Sequence, residues 1–409
     1  MYRQCVKVII KRRKGRVIVQ KKNRSGFVPG FLIGMLAMLI MAGGIVAGIY
    51  FSNIDMISSK NSVAVTKAEK KLKSLEHVIH NYYLEDVNQD HLVEGLYKGL
   101  FAGIGDPYSV YYTKEEYEEL MQATSGKYYG IGALVSQDMR TGLITISKVF
   151  QGAPADKAGM KAEDAIYKVD DKSIDGKEVD KVVAMMKGEK GTQVKVTVYR
   201  PSEKKYIDLM ITRDEVKVPT VESKMLNKEI GYIQITEFDE VTGEQFTKAV
   251  NQLKKQGMKK VVFDVRDNPG GSYATVCDIL DEILPAGTLV YTKDKYGKEE
   301  RQESDPESLN MPMVVLQNED SASASEIFAG AIQDFKAGKI MGTQSFGKGI
   351  VQQIIPLGDG SAVKLTVEKY YTPSGKNIHG KGITPDIKVE QGEDEKKDLQ
   401  LEKAIEELK

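Results

Sequence analysis

Val261-Val-Phe-Asp-Val265, running into Arg266-Asp-Asn-Pro-Gly-Gly271, is an apolar stretch that stops at a turn of Asp, Asn, Pro and Gly. A short apolar run bounded in this way reads as a strand buried on both faces, which is what a parallel sheet demands. Working outward, Ile230-Gly-Tyr-Ile-Gln-Ile235 and Met313-Val-Val-Leu316 are further strands. Glu244 to Gln256 and Tyr273 to Leu284 carry helical periodicity. Strands alternating with helices predict an α/β core whose sites lie at the ends of strands. In the tail, Asp398 to Lys409, Leu401, Ala404, Ile405 and Leu408 share one face, as in a docked terminal helix.

The pattern changes between Lys127 and Arg213. Tyr128-Tyr-Gly-Ile-Gly-Ala-Leu-Val135 and Leu143-Ile-Thr-Ile-Ser147 alternate as strands do, and Pro154 to Ala158 forms one helical turn that Gly159 stops. The strand Ala165-Ile-Tyr-Lys-Val169, a helix from Lys177 to Lys187 and the strand Gln193 to Tyr199 follow. This order resembles a PDZ domain. Gly130, Ile131 and Gly132 match the loop that in such domains offers amides to a peptide's terminal carboxylate, where a Cβ would block approach. Gly-x-Gly by itself is usually a turn, and the surrounding order of elements is what favours a peptide site. Glu163-Asp164 departs from the Gly-Asp usual there.

Two segments carry chemistry. Gln317-Asn-Glu-Asp-Ser-Ala-Ser-Ala-Ser325 lies between a strand and a helix, where the free N–H groups and dipole of the helix start favour a developing oxyanion. The blander reading is helix capping, for which Ser325 followed by Glu326 is suited. Gly347-Lys-Gly349 sets a lysine between glycines, with Gln352 four residues beyond the lysine. A serine hydroxyl needs a base, and a lysine serves only when burial or neighbours keep its amine neutral near pH 7.

With Asp106-Pro-Tyr-Ser109, Tyr371-Thr-Pro-Ser-Gly375 and Gly382-Ile-Thr-Pro-Asp386, these segments resemble the carboxyl-terminal processing peptidases, or tail-specific proteases, over about residues 65–409. The resemblance implies a serine peptidase with an inserted PDZ domain. It places the nucleophile on Ser323, the general base on Lys348, and the residue that orients the lysine on Gln352. Backbone amides of Ala324 and of the Gly270-Gly271 pair form its oxyanion hole. Asp320 stands where the family commonly has glycine, and a carboxylate there is expected to raise the pKa of the lysine. Ser321 and Ser325 are the competing candidates for the nucleophile.

Charge divides the chain unevenly. The first 26 residues hold ten Lys and Arg and no acid, so 48 basic against 58 acidic residues remain and everything after Gly26 carries −10. A nucleic-acid partner is not expected for such a chain. Phe27 to Phe51 is 25 residues without a charge, longer than the ~20 that cross a bilayer as a helix. The expectation is an uncleaved single-pass anchor at the cell membrane, with the basic tail cytoplasmic and the rest extracytoplasmic.

The expected architecture is therefore an α/β (α+β) peptidase core with an inserted PDZ domain, preceded by a transmembrane helix and an N-terminal helical segment. Its parts are a basic cytoplasmic tail over 1–26, an anchor over 27–51, a helical region over 66–117, the PDZ domain over 118–215, the peptidase core over 216–390 and a C-terminal helix over 391–409. Protein substrates are expected to be held by their C-terminal tails and cut upstream. The helices between Lys67 and Leu100 and the C-terminal helix offer faces for a homodimer. Cys5 and Cys277 fall on opposite sides of the membrane, which excludes a disulfide between them within one chain. No cofactor or metal is implied: cysteines do not cluster, no His-Glu-x-x-His exists, and His77, His80 and His91 receive no function. Two other readings stay open at this stage. One is an inactive membrane-tethered PDZ scaffold. The other is a histidine-dependent hydrolase, which lacks a Gly-x-Ser-x-Gly elbow and has only His379 in the core.

Overall fold

The computed structural model describes residues 62–392 and 397–409. The basic tail and the apolar stretch expected to span the membrane lie outside the described residues. Among the described residues no helix is long and apolar enough to cross a membrane.

Two helices come first, α1 (Ser62–Tyr82) and α2 (Gln89–Ala102). A short strand β1 (Val110–Tyr112) leads to α3 (Lys114–Ser125), which opens on a capping box. Thr113 Oγ1 accepts from Glu116 N–H while Glu116 accepts from Thr113 N–H. Gly126, at φ 64°, ends that helix in the left-handed conformation glycine tolerates best.

The chain then enters the inserted domain through β2 (Lys127–Gly130) and leaves it through β9 (Asp214–Lys217), and these two strands pair antiparallel as a neck. Between them come β3 (Ala133–Gln137), β4 (Ile144–Val149), the single turn α4 (Pro154–Lys157), β5 (Ala165–Val169), β6 (Lys172–Ser173), α5 (Val179–Met186), β7 (Gln193–Arg200) and β8 (Lys205–Thr212). The sheet order is β3-β4-β5-β7-β8, with β6 paired to β5. Ile144, Ile146, Val182, Val194, Val196 and Ile211 fill its core. Glu163 adopts φ 69°, the conformation glycine would supply, so the departure noted in the sequence keeps the shape of the turn at a cost of about 1–2 kcal/mol. Asp164, fully buried beside it, accepts both forks of Arg200 at 2.7 Å.

The core follows: β10 (Val221–Met225), β11 (Ile230–Ile235), α6 (Thr242–Lys255), β12 (Lys260–Asp264), α7 (Tyr273–Ile283), β13 (Gly287–Asp294), β14 (Glu299–Ser304), β15 (Met313–Gln317), α8 (Ala324–Asp334), β16 (Gly338–Gly342), β17 (Ile350–Pro356), β18 (Ala362–Tyr371), β19 (Ile387–Lys388) and α9 (Leu399–Glu407). One sheet runs β10-β11-β12-β15-β16-β19, parallel except at β10. Val261 and Phe263 point to the side covered by α6, α7 and α8, and Val262 points to the side covered by α9. Burial on both sides is why β12 reads as a continuous apolar run. Phe246, Phe263 and Phe328 form a chain of rings 5.8 and 5.5 Å apart, and burying such a side chain stabilises by about 1.5–3 kcal/mol. On the far side Arg266, at the end of β12, bridges Asp264 to Asp398, the N-cap of α9. A second sheet runs β1-β18-β13-β14 with β17 on β18, and Tyr370 of its β18 reaches Ser323 O at the start of α8. Sequence periodicity did not show this sheet.

Candidate active site

Strand β12 ends in the turn that carries Asn268, Gly270 and Gly271, and strand β15 ends in the turn that carries Ser321, Ser323 and Ser325. Neighbouring parallel strands bring these turns side by side. Asn268 knits them. Its backbone carbonyl accepts from Ala322 N–H at 3.0 Å and from Ser325 Oγ–H at 2.9 Å, while its side chain donates to Ile235 O and accepts from Gly270 N–H, each at 2.8 Å. A Cβ on Gly270 would lie 2.8 Å from Ser323 Cβ and 2.9 Å from Ala324 N. Only glycine permits so close an approach.

The three serines divide cleanly. Ser321 is fully buried and donates to Val265 O at 2.7 Å, and Ser325, equally buried, is committed to Asn268 O. Both are structural. Ser323 is half-buried and stands at φ 56°, ψ −112°, a backbone conformation that costs about 1–3 kcal/mol and recurs at functional turns. Of the expected oxyanion donors, the Ala324 amide opens α8 and Gly271 is exposed beside it. The Gly270 amide is the exception, because it is already given to Asn268 Oδ1 in this state.

Gly347 and Gly349 flank Lys348 for a reason visible only in three dimensions. The loop 378–382 crosses both, so that a Cβ would lie 3.0 Å from Lys381 N at Gly347 and 2.5 Å from His379 N at Gly349. Two groups then tie the lysine turn to the serine turn. The buried Glu326 carboxylate accepts from Ser323 N–H at 2.9 Å, Lys348 N–H at 2.8 Å, Gly347 N–H at 2.7 Å and Ser345 Oγ–H at 2.6 Å. The Tyr370 hydroxyl donates to Lys348 O at 2.7 Å and Ser323 O at 3.0 Å. Neither residue stood out in the sequence beyond the cap-like position of Glu326. The signal that could have found Glu326 is the burial of an acid that must then be fully hydrogen-bonded.

Burial pushes the Lys348 amine below its ordinary value, and the positive charge of Lys364 pushes the same way, against the opposing pull of Glu326 and Asp106. Asp320 is exposed and is not among the charges acting on the lysine, so the expected upward shift from that residue is not found. The amine lies over the ring of Tyr108, 4.8 Å from its centre, and Gln352 Nε2 donates to Thr366 Oγ1 at 3.2 Å. Among the hydrogen bonds of the described residues none joins Lys348 Nζ to Ser323 Oγ or to Gln352. Cys277 is inert packing: burial raises its thiol to about 12. Among the described residues no group of His, Cys, Asp and Glu is placed to hold a metal.

In the inserted domain Gly130, Ile131 and Gly132 join β2 to β3. Ile131 is buried, its carbonyl accepts Ala155 N–H at 2.7 Å, and Gly132 at φ 79° has Ala153 Cβ only 2.3 Å from where its own Cβ would be. Burial raises the pKa of the Tyr128 hydroxyl, and the nearby amides of Gly132 and Ala133 lower it. The ring edge of Tyr128 packs on Gly130, and Lys187 lies over its face at 5.7 Å.

Comparison with known proteins gives a consistent set of matches. Residues 229–389 match the model of peptidase family S41, residues 130–211 a PDZ domain, and residues 38–116 the activating protease CtpB N-terminal domain. The carboxy-terminal processing protease CtpB of Bacillus subtilis (strain 168) is 36% identical over 367 residues, covering 87% of this chain and 76% of that one. CtpA of the same organism is 38% identical over 341 residues, covering 83% and 72%. Among solved structures, the photosystem II D1 C-terminal processing protease matches with a TM-score of 0.46 at 29% identity, over 78% of this chain and 86% of that one.

Proposed function

Since this chain belongs to peptidase family S41, among the carboxy-terminal processing serine proteases, we propose that it cuts proteins with Ser323 as nucleophile and Lys348 as general base. The observation that carries this reading is the double tie between the two turns, through Glu326 and Tyr370, which keeps the serine and lysine backbones in register. Desolvation favours the neutral amine that a base requires. Lys348 takes the Ser323 proton as Oγ attacks the scissile carbonyl, the Ala324 and Gly271 amides hold the oxyanion, and the proton passes to the leaving amine. Water then resolves the acyl-enzyme. In the described state the amine is parked over Tyr108 and Gln352 is turned to Thr366. Gln352 takes up its orienting role once the amine swings toward Ser323.

The PDZ domain binds the C-terminal tail of the substrate. Support comes from the glycine loop, whose Gly132 and Ala133 amides are close enough to the Tyr128 hydroxyl to lower its pKa and so are near a polar acceptor already. Tail binding also gates the site. Anchoring by residues 27–51 places the protease on the extracytoplasmic side of the cell membrane, in keeping with the uncharged stretch and its basic flank. Exposed Leu72, Leu75 and Val78 on α1 support pairing of two chains. The decisive experiment treats the purified protein with a fluorophosphonate probe and an unstructured protein substrate. Labelling and cleavage are expected to disappear together in Ser323→Ala, and cleavage in Lys348→Ala. Persistence of cleavage in either variant excludes the assignment.

A further inference from the structure

The segment Asp106-Pro-Tyr-Ser109 has no part in the chemistry so far, yet it lies against the base. It precedes β1, outside the residues that match the peptidase family, and reaches the core because β1 pairs with β18 through Val110↔Lys364 and its neighbours. The loop is stiffly made. Asp106 Oδ1 accepts Tyr108 N–H at 3.0 Å and Oδ2 accepts Ser109 Oγ–H at 2.6 Å, while buried Ser109 Oγ in turn accepts Thr366 N–H at 3.1 Å. Thr366 is also the partner of Gln352, so one chain of hydrogen bonds runs from Asp106 through Ser109 and Thr366 to Gln352. At the tip, the Tyr108 ring sits 4.8 Å from Lys348 Nζ.

We propose that Tyr108 is a positioning residue for the base: its ring face seats the Lys348 ammonium, and the Asp106–Ser109 loop that aims this ring comes from outside the peptidase core. An aromatic face attracts a cation and has little hold on a neutral amine. The seat therefore stores the lysine in its charged form and releases it on loss of the proton, the moment at which it becomes able to serve Ser323. The charged groups around the amine are Asp106 on the same loop, Glu326 on α8 and Lys364 on β18, and His379 on the loop after β18 acts on Asp106. Burial and Lys364 favour the neutral amine, whereas Asp106, Glu326 and the ring favour the charged one.

The proposal rests on the Ser-Lys reading, and its test is arranged so that the two fail separately. In the full chain, the midpoint of the acidic limb of kcat/KM against pH is measured for Tyr108→Leu, Tyr108→Phe and a series of fluorinated phenylalanines at 108. The series weakens the ring face in steps with little change of size. In parallel, in the Ser323→Ala background, the pH dependence of Lys348 acetylation by trace anhydride is followed by peptide mass spectrometry, a readout that needs no turnover. The expected result is that Tyr108→Leu lowers both midpoints by about 0.5 pH unit, that fluorination lowers them in steps, and that Tyr108→Phe leaves them in place. A merely structural tyrosine would change melting temperature without moving the midpoints. An unmoved acetylation midpoint in Tyr108→Leu and across the fluorinated series overturns the proposal, as does a Tyr108→Phe shift equal to that of Tyr108→Leu. Activity surviving Lys348→Ala would instead overturn the Ser-Lys reading, and the acetylation midpoint would still decide the role of Tyr108.

Discussion

The two turns that carry the proposed oxyanion and tail sites, at Ser323 and at Gly130 to Gly132, are made in opposite ways. The turn at Ser323 accepts strain in a side-chain-bearing residue, φ 56° and ψ −112°, and offsets it with dense bracing by Glu326, Asn268 and Tyr370. The loop at Gly130 to Gly132 avoids strain by using glycine where the backbone is left-handed, and two carbonyl contacts, Phe150 N–H to Gly132 O and Ala155 N–H to Ile131 O, steady it. The first is held rigid against its strain, and the second needs fewer braces because glycine removes the strain. Between them lies the segment after β11. Phe238 exchanges hydrogen bonds with Gly270 and Ser272, while neighbouring Asp239 Oδ2 lies 3.0 Å from where a Gly126 Cβ would be, at the neck of the PDZ domain.

The contrast breaks first at Glu326. Glu326→Ala leaves three amides and a hydroxyl buried without an acceptor, and is expected to cost about 3–5 kcal/mol of stability and at least about 100-fold in turnover. Thermal melting and peptide cleavage check this, with Glu326→Gln intermediate. Gly132→Val is next: it meets both a left-handed backbone and the Ala153 methyl, so binding of a C-terminal tail peptide, followed by fluorescence anisotropy, should fall at least about tenfold while fluorophosphonate labelling of Ser323 persists. Tyr128→Phe works in the opposite direction. By freeing the Gly132 and Ala133 amides it should tighten tail binding by a few fold, an effect lost when the peptide's carboxylate is amidated.

The smallest expected effect is at the neck. Burial, together with the negative charges of Glu237 and Glu240, pushes Asp239 up to about 7. A carboxyl raised in the folded state binds its proton more tightly there than in the unfolded chain, so its contribution is present below the ordinary carboxylate range and is lost as pH rises toward 7. Asp239→Asn should match the parent near pH 4 and be more stable above pH 7 by on the order of 1 kcal/mol, seen as a higher melting temperature. Equal melting temperatures at pH 8 would show that the fold does not raise this carboxyl.

Much of the scaffold was legible from local signals. The apolar run at β12, the alternation of β3 and β4, the helical stripe of Phe246, Val250 and Leu253, and the Pro-started turn at Pro154 each report burial that a single element experiences by itself. The sheet of β13, β14, β17 and β18 was missed because its strands have mixed faces. β14 is exposed along nearly its whole length, and β17 and β18 alternate weakly. At the site, the serine and lysine motifs named Ser323 and Lys348, whose turns the fold ties together through Glu326. They said nothing of the Asn268 and Tyr370 contacts that join the turns, nor of the Gly270 amide already given to Asn268.

What the amino-acid order alone determined is the local part of the design, namely the strand runs of the parallel sheet, the helix caps and the glycine turns, since each depends on neighbours within a few residues; the pairing of Ser323 with Lys348 came from the family resemblance. The tertiary structure alone decided which oxygen each amide faces and where the lysine rests. Those depend on contacts such as Ser109 with Thr366, 257 residues apart, and on a ring delivered to Lys348 by a strand from outside the core. Periodicity carries no information about such pairs, because closing a long loop is a property of the topology and not of any local stretch of chain.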